Sequence, residues 1–506
     1  MKFNVFKKTV AQTVNHEGAV AYTTSAELEL YTAVVTASLS NTFYEKENER
    51  LQRIINLINR VEPSFVARLA VYCREQMYLR SVPLVLITEL SKSHNGDGLV
   101  GQTTQRVIQR ADEITELLAY YQLSNLRTGD KQLNKLSKQV QKGLAQAFNK
   151  FDEYQFAKYN RKTTVTFKDA LFLTHPKAVS EAQQQVFDRI VNDALETPYT
   201  WEVELSAIGQ EEYKDASDKA RAIKRKWEEL IDSGKLGYMA LLRNLRNILQ
   251  AKVSSDAIRK VGEHLADPVA VRRSKQLPFR FLAAYKELEP LKLNYVSWLM
   301  DSLEEAINIS AENISGFDLN TKLLIAADVS GSMYQAVSAR SKIRCYDIGL
   351  VLSMLLASKS KNVVTGIFGD RWKEVNMSRS NILSNVRKLD SMEGSVGYST
   401  NGHLVIDSLT RARRKMDKVM FFTDLQMWDS TSRSGHIANS WKEYKVKVAP
   451  QARLYLFDLA GYGNVPLQVK RNDVFLIAGW SDKIFDVLAA IEEGGDALDK
   501  IKRIEI

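Results

Sequence analysis

The sequence predicts a multidomain α plus α/β protein, a helical-repeat half followed by a doubly wound, mainly parallel sheet domain. Three observations carry this. Residues 1 to about 320 place apolar side chains mostly at 3–4 spacing, with few alternating strand patterns. From about 321, apolar runs of strand length alternate with helical ones, the signature of a parallel sheet covered on both faces. One such run, Leu323 to Ser332 (LLIAADVSGS), ends in an Asp followed by two serines at alternate positions.

In the first half, Leu51–Ile58, Phe65–Met77, Leu84–Leu90, Arg110–Tyr121, Lys131–Phe148, Tyr238–Gln250 and Phe279–Leu288 read as helices. Prolines at 63, 83, 176, 268 and 278 fall between them, where helices begin or end. Many helices with short connections predict a helical-hairpin solenoid, although no repeat of fixed period is visible. In the second half, Leu323–Ala327, Val363–Phe368, Val419–Phe422, Leu454–Phe457 and Val474–Ala478 read as strands. Tyr346–Ser358, Ser380–Leu389, Gly402–Arg414 and Lys483–Ile491 read as the covering helices. Asn313 to Asn320 is the expected linker, so the expected domains are 1–318 and 319–506.

The chain of 506 residues is 45% hydrophobic and 26% charged, enough to bury large cores without disulfides. Its two cysteines, Cys73 and Cys345, need no oxidising compartment, the start lacks a signal-peptide apolar region, and no apolar run is long enough to span a bilayer. A cytoplasmic protein with no membrane partner is expected. The net charge of +10 favours a polyanionic partner. Residues 131–180 carry a net of +7 and residues 181–220 a net of −7, so the basic charge is banded.

A strand ending in Asp328-x-Ser330-x-Ser332 places a carboxylate and two hydroxyls at the carboxyl edge of a sheet, where ligands of open α/β sheets sit. Oxygen ligands of this kind suit a hard cation, Mg²⁺ above all. A second run, KVMFFTD, ends in Asp424, and the Gly/Ser-rich loop GSVGYSTN between them offers Thr400, with Ser399 as an alternative hydroxyl. Asp and Ser runs also cap helices, which is the structural alternative. Together Asp328, Ser330, Ser332, Thr400 and Asp424 resemble the metal-ion-dependent adhesion site of von Willebrand factor A domains, in which the hydroxyls bind the ion and the aspartates act largely through water.

Lys131, Lys135, Lys138 and Lys142, spaced 4, 3 and 4, define one basic helical face over Leu133, Leu136, Val140 and Leu144. A lysine face is often only a solvated surface, but YQFAKYNRK follows. It mixes Lys158, Arg161 and Lys162 with aromatic and amide side chains suited to phosphates and unpaired bases. His175 lies nearby between Lys168 and Lys177. Arg243 and Arg246 sit one turn apart, and Arg272, Arg273, Lys275 and Arg280 surround LPFRFLAAY. Their alternative role is as helix caps or ion-pair partners of the 181–220 band.

Nearly the whole chain resembles the Ro autoantigen family, in which a TROVE module precedes a von Willebrand A domain. The resemblance rests on TSAELELYTAVVTASLSNTFYE, VARLAVYCREQMYLRSVPLVL, DEYQFAKYN, FKDALFLTHPKA, MALLRNLRNIL, SKQLPFRFLAAY, AADVSGSM and FFTD. It implies a monomeric ring of HEAT-type helical hairpins closed by a Rossmann-like A domain. It also implies an RNA-binding, non-catalytic function in small-RNA quality control. Single-stranded 3′ ends of misfolded or immature RNAs would enter the ring, and a Y-like noncoding RNA would bind the outer basic surface. In bacterial relatives the Y RNA tethers polynucleotide phosphorylase, an exonuclease. The family's Y RNA contacts, two basic residues one helical turn apart and a histidine in a short turn, align with Lys158, Lys162 and His175. Lys162 stands where well-known relatives have Arg, and the loop at Thr400 reads Tyr398-Ser399-Thr400-Asn401 instead of Gly-Gly-Thr-Asn. A metal-dependent protein-adhesion scaffold is the alternative function. P-loop, G-x-S-x-G, H-E-x-x-H and C-x-x-C motifs are absent from the sequence, which speaks against an enzyme.

Overall fold

The structure is a computed structural model and describes residues 12–37, 45–125, 136–310, 320–337, 341–392, 394–428, 436–469 and 473–506. The expected linker and the 318/319 boundary lie almost wholly outside these residues. The chain forms two compact units that do not follow chain order. One comprises Met1–Leu57, Gln276–Lys286 and Leu303–Lys500; the other comprises Ile58–Lys275, Glu287–Ser302 and Ile501–Ile506.

Among the described residues the first unit is built on nine strands: β1 Gln12–Val14, β2 Val20–Thr23, β3 Lys322–Asp328, β4 Asn362–Phe368, β5 Trp372–Glu374, β6 Lys418–Thr423, β7 Arg453–Asp458, β8 Asn464–Val465 and β9 Val474–Ala478. Six of them form one sheet in the order β5-β4-β3-β6-β7-β9, parallel throughout except for the antiparallel edge strand β5. The central strands read as continuous apolar runs because both faces are covered: β6 is buried along its whole length, and Phe422 stacks on Phe457 at 4.3 Å. The order reverses between β3 and β6, so the carboxyl ends of these two strands flank the topological switch point.

The five expected strands are all present. The sequence did not suggest β5, β8 or the hairpin β1–β2, which pairs with β8 into a second, antiparallel sheet. These strands are two to four residues long, too short to show an alternating pattern. The segment after the hairpin also belongs to this unit. The Tyr31 hydroxyl donates to the Ala478 carbonyl at 3.0 Å, and the fully buried Arg50 donates to the Ala460 carbonyl at 2.5 Å.

The second unit is helical throughout its described length, from Pro63–Glu75 to Pro268–Ser274. Pro63 and Pro268 occupy first helical positions, where the missing N–H costs nothing. Close crossings are made by small residues: a Cβ on Gly143 would lie 2.5 Å from the Gly101 carbonyl of a neighbouring helix. A buried ion pair, Arg74 with Glu113 at 2.8 Å, ties two further helices together. Helix ends depart from the expected ones by up to four residues, as where Leu51–Ile58 proves to be Glu47–Ile58, because apolar spacing does not locate caps. The larger departure is Lys131–Phe148. The described helix is Lys138–Phe148, Leu136 precedes it outside helical structure, and Lys131, Leu133 and Lys135 lie outside the described residues.

Candidate metal centre and nucleic-acid interface

β3 delivers Asp328 to the sheet edge, and the chain then turns through Ser330 into a short 3₁₀ helix containing Ser332. The Ser330 amide donates to Asp328 Oδ1 at 2.9 Å, and the two serine hydroxyls lie 3.4 Å apart. β6 delivers Thr423 and Asp424 beside them. The Thr423 hydroxyl, fully buried, donates to Asp328 Oδ2 at 2.6 Å and fixes that carboxylate's rotation. The Gln426 amide donates to Asp424 Oδ1 at 3.1 Å.

The third loop is held by a device the sequence did not reveal. Asp370, just past β4, accepts from the Ser399 amide at 2.7 Å, and its own carbonyl accepts from the Asn401 side chain at 3.0 Å. The Gly331 amide donates to the Tyr398 carbonyl at 2.8 Å, joining this loop to the serine turn. Gly397 has φ +77°, and a Cβ there would meet the Asp370 carboxylate at 2.0 Å, so only glycine fits. Although its residues differ from Gly-Gly-Thr-Asn, the loop sets a buried Thr400 at the same edge, while Ser399 is the more exposed neighbour.

All five expected residues are buried: Asp328, Ser330, Ser332, Thr400 and Asp424. Burial raises both carboxyl pKa values, and the charge of Asp424 raises that of Asp328 further. Asp424 Oδ2 is buried with no hydrogen-bond partner. A cavity of about 30 Å³, room for one water, adjoins Asp424 and Ser332. Two buried carboxylates, one with an orphaned oxygen, beside inward-facing hydroxyls fit a hard divalent cation that keeps some of its water. Among the described residues no three His, Cys, Asp or Glu side chains are placed to share an ion.

The candidate nucleic-acid face belongs to the second unit. Lys138 and Lys142 are exposed on helix Lys138–Phe148. Gln141 of that helix donates to the Leu173 carbonyl at 2.9 Å, and Asn149 donates to the Lys177 carbonyl at 2.9 Å, which brings the His175 turn alongside. His175 is exposed at φ +49° and ends helix Phe167–Thr174. Helix Glu153–Tyr159 carries the exposed Lys158, whose ammonium lies 5.8 Å from both the Tyr154 and Tyr159 ring centres. Phe156 locks these helices together, 5.7 Å from Phe148 and 5.2 Å from Phe167. Arg161 and Lys162 are exposed but follow the end of the helix, so Lys158 and Lys162 are not one helical turn apart as expected. The sequence reading missed Phe172, 57% exposed beside the His175 turn, and Arg110, stacked 4.4 Å over Tyr159. A large apolar side chain left in water on a basic face was hidden in the apolar run ALFLT.

The remaining candidates are dispersed. Arg243 is exposed, and Arg246 pairs with Glu287 at 2.7 Å rather than with the 181–220 band. Lys275 lies 5.7 Å from the Tyr78 ring centre, and Arg272 is exposed. Arg280 belongs to the other compact unit and stacks on Phe279 at 5.0 Å. The acidic band is satisfied largely by its own neighbours, as in Lys226 with Glu204 at 3.0 Å.

A helical-repeat segment and a sheet with a carboxylate–hydroxyl switch point together define a TROVE protein carrying a von Willebrand A-type domain. The TROVE domain family matches residues 15–221 and 194–297, and the Ro60 vWA domain family matches residues 322–491. The chain belongs to the Ro autoantigen family. It is similar to telomerase protein component 1 of Rattus norvegicus, 24% identical over 321 residues, which cover 48% of this chain and 12% of that protein. Its likeness to the Mus musculus protein of the same name is 23% over 349 residues, 53% of this chain and 13% of that protein. The chain thus spans about an eighth of the length of these relatives. The crystal structure of the Deinococcus radiodurans RO (RSR) protein shares the fold, with a TM-score of 0.59 at 19% identity over 93% of this chain and all of that one. Among the described residues no helix is long and apolar enough to cross a membrane.

Proposed function

We propose that this protein is a non-catalytic RNA-binding scaffold of a small ribonucleoprotein, acting in RNA quality control or processing. The observation that carries the reading is the face formed by Lys138, Lys142, Lys158, His175 and Lys177, interleaved with exposed Tyr154 and Phe172, within the TROVE-matched residues. The cations neutralise phosphates, and the rings stack on unpaired bases, whose π-faces are open only in single strands, loops and ends. The partners are a Y-like noncoding RNA on the outer basic surface and immature or misfolded RNAs with single-stranded 3′ ends. An exonuclease of the polynucleotide phosphorylase kind consumes what is presented, and the complex works in the cytoplasm. Binding of a small hairpin RNA with a single-stranded 3′ tail, against the same hairpin blunt-ended, tests this. Tail-dependent binding is expected; equal binding of both removes the end-capture part of the reading, and binding of neither removes the whole.

A second reading concerns the other compact unit and is compatible with the first. The orphaned Asp424 Oδ2 and the hydroxyls of Ser330, Ser332 and Thr400 support a resident Mg²⁺, held through hydroxyls directly and through the aspartates mainly by water. When bound, the ion supplies an open coordination position for a partner protein's carboxylate. Asp328, oriented by Thr423, and the loop oriented by Asp370 keep the donors in place.

A further inference from the structure

The sheet-bearing unit holds a large cavity that neither the basic helical face nor the metal centre explains. We propose that this cavity binds a nucleotide through its phosphate monoester, either as a free nucleoside monophosphate or as the phosphorylated end of an RNA. The phosphate lies among cationic side chains and the base against planar ones. No metal ion is required.

The cavity has a volume of about 550 Å³, inside the range of roughly 300–1,000 Å³ found for small-ligand sites. Among the described residues, Lys286, Lys342, Arg344 and Arg387 line it together with Tyr334 and Tyr346. These side chains come from separate parts of the chain. Lys286 belongs to helix Pro278–Leu288, and Tyr334 ends the 3₁₀ helix that carries Ser332. Arg344 and Tyr346 stand at the start of helix Cys345–Ser358, and Arg387 lies on helix Ile382–Asp390. The fold, not a local run of basic residues, gathers the four cations. A carboxylate ligand has one charge and two oxygens, whereas a phosphate monoester brings about two charges and three acceptor oxygens. Guanidinium forks and ammonium groups around one cavity match the second better.

Neighbouring groups hold the cations in position. Lys286 Nζ lies 2.5 Å from Asp347 Oδ1 and 3.5 Å from Asp390 Oδ2. Asp347 is fully buried, and its other oxygen accepts from the Arg344 amide at 2.8 Å. Arg387 and the Tyr346 hydroxyl both meet Asp390. The Arg344 guanidinium donates to the Tyr346 hydroxyl at 3.1 Å and lies 5.0 Å from the Tyr334 ring centre. Bonds of this kind fix where a cation stands, and a phosphate accepts from several such donors at once. The cavity is larger than a phosphate needs. Its planar groups, Arg344, Tyr334 and Tyr346, are surfaces on which bases lie. The Tyr334 hydroxyl is buried with no hydrogen-bond partner among the described residues. It is a donor left for an oxygen that a ligand brings.

The test is calorimetric titration of the full chain in EDTA with 5′-AMP and with adenosine, which lacks the phosphate. AMP is expected to bind and adenosine not. Lys342→Gln and Arg344→Gln should each weaken AMP binding by roughly tenfold. Lys342 is exposed, so its replacement should leave the melting temperature unchanged and separate a lost contact from a lost fold. Lys361→Gln makes the same change in net charge at an exposed position outside the cavity and should bind AMP as the wild type does. A short single-stranded RNA with and without a 5′-phosphate tells the two sources apart. An affinity gain from the phosphate that vanishes in Lys342→Gln assigns the cavity to an RNA end, and no gain beside tight AMP binding assigns it to the free nucleotide. Adenosine binding equal to that of AMP, wild-type affinity in both cavity variants, or no phosphate-dependent binding of either ligand overturns the proposal. Binding of AMP only when Mg²⁺ is present overturns it too, because the phosphate then sits on the ion at the sheet edge.

Discussion

The sheet edge and the basic helical face solve opposite problems. At the edge, five short side chains are buried, and the carboxylate of Asp328 is fixed by bonds from Ser330 and Thr423. On the helical face the side chains that matter are long, exposed and anchored only at their bases by the Phe148–Phe156–Phe167 cluster. The first arrangement suits an ion a few ångströms across, for which small displacements are costly. The second suits a long polyanion, for which charge density matters more than any one contact. Loss of one residue should therefore be severe at the edge and graded on the face.

The largest effect is expected from Asp328→Ala, which removes the carboxylate at the centre of the edge. Mn²⁺ titration should show loss of binding by more than about a hundredfold, while affinity for a tailed RNA stays at the wild-type value. A parallel fall in RNA affinity in a folded protein would break the separation of the two regions. Thr423→Val keeps the packing but leaves Asp328 without its hydroxyl donor. A loss of about tenfold in Mn²⁺ affinity is expected, and an unchanged titration would show that the donor set tolerates a free carboxylate. On the helical face, the double replacement Lys158→Ala and Lys162→Ala should weaken RNA binding and flatten its logarithmic salt slope by up to about 2 units. A slope equal to that of the wild type would remove both lysines from the interface. Phe172→Ala should cost about 1–3 kcal/mol with a single-stranded tail if its ring stacks on a base, and leave the salt slope as it is, since no charge is lost.

Legibility in the sequence follows the same division. The edge was readable because its residues are short and local: a strand that ends in Asp-x-Ser-x-Ser puts three donors in place by geometry alone. What was not readable there came from distant chain. Asp370 acts through the Ser399 amide, and the β1–β2 hairpin is pinned to the loop after Asp424 by the bond from His16 to Gln426, 410 positions apart. Its strands are three and four residues long, too short for an alternating pattern to register. On the helical face, 3–4 spacing located the helices but not their ends. The family resemblance implied Lys158 and Lys162 one helical turn apart, whereas the chain leaves the helix at Asn160. Arg246 reads in the sequence as an RNA contact, a helix cap or an ion-pair partner of the 181–220 band, whereas it pairs with Glu287, 41 positions away.

The most direct measurement is the affinity of the wild-type chain for a tailed hairpin RNA across a salt series, each point taken with Mg²⁺ and with EDTA. If the basic helical face holds the RNA and the sheet edge holds the ion, affinity falls steeply with salt and the two series superimpose. An affinity that collapses in EDTA, or that barely responds to salt, would contradict the assignment of RNA and metal to separate regions.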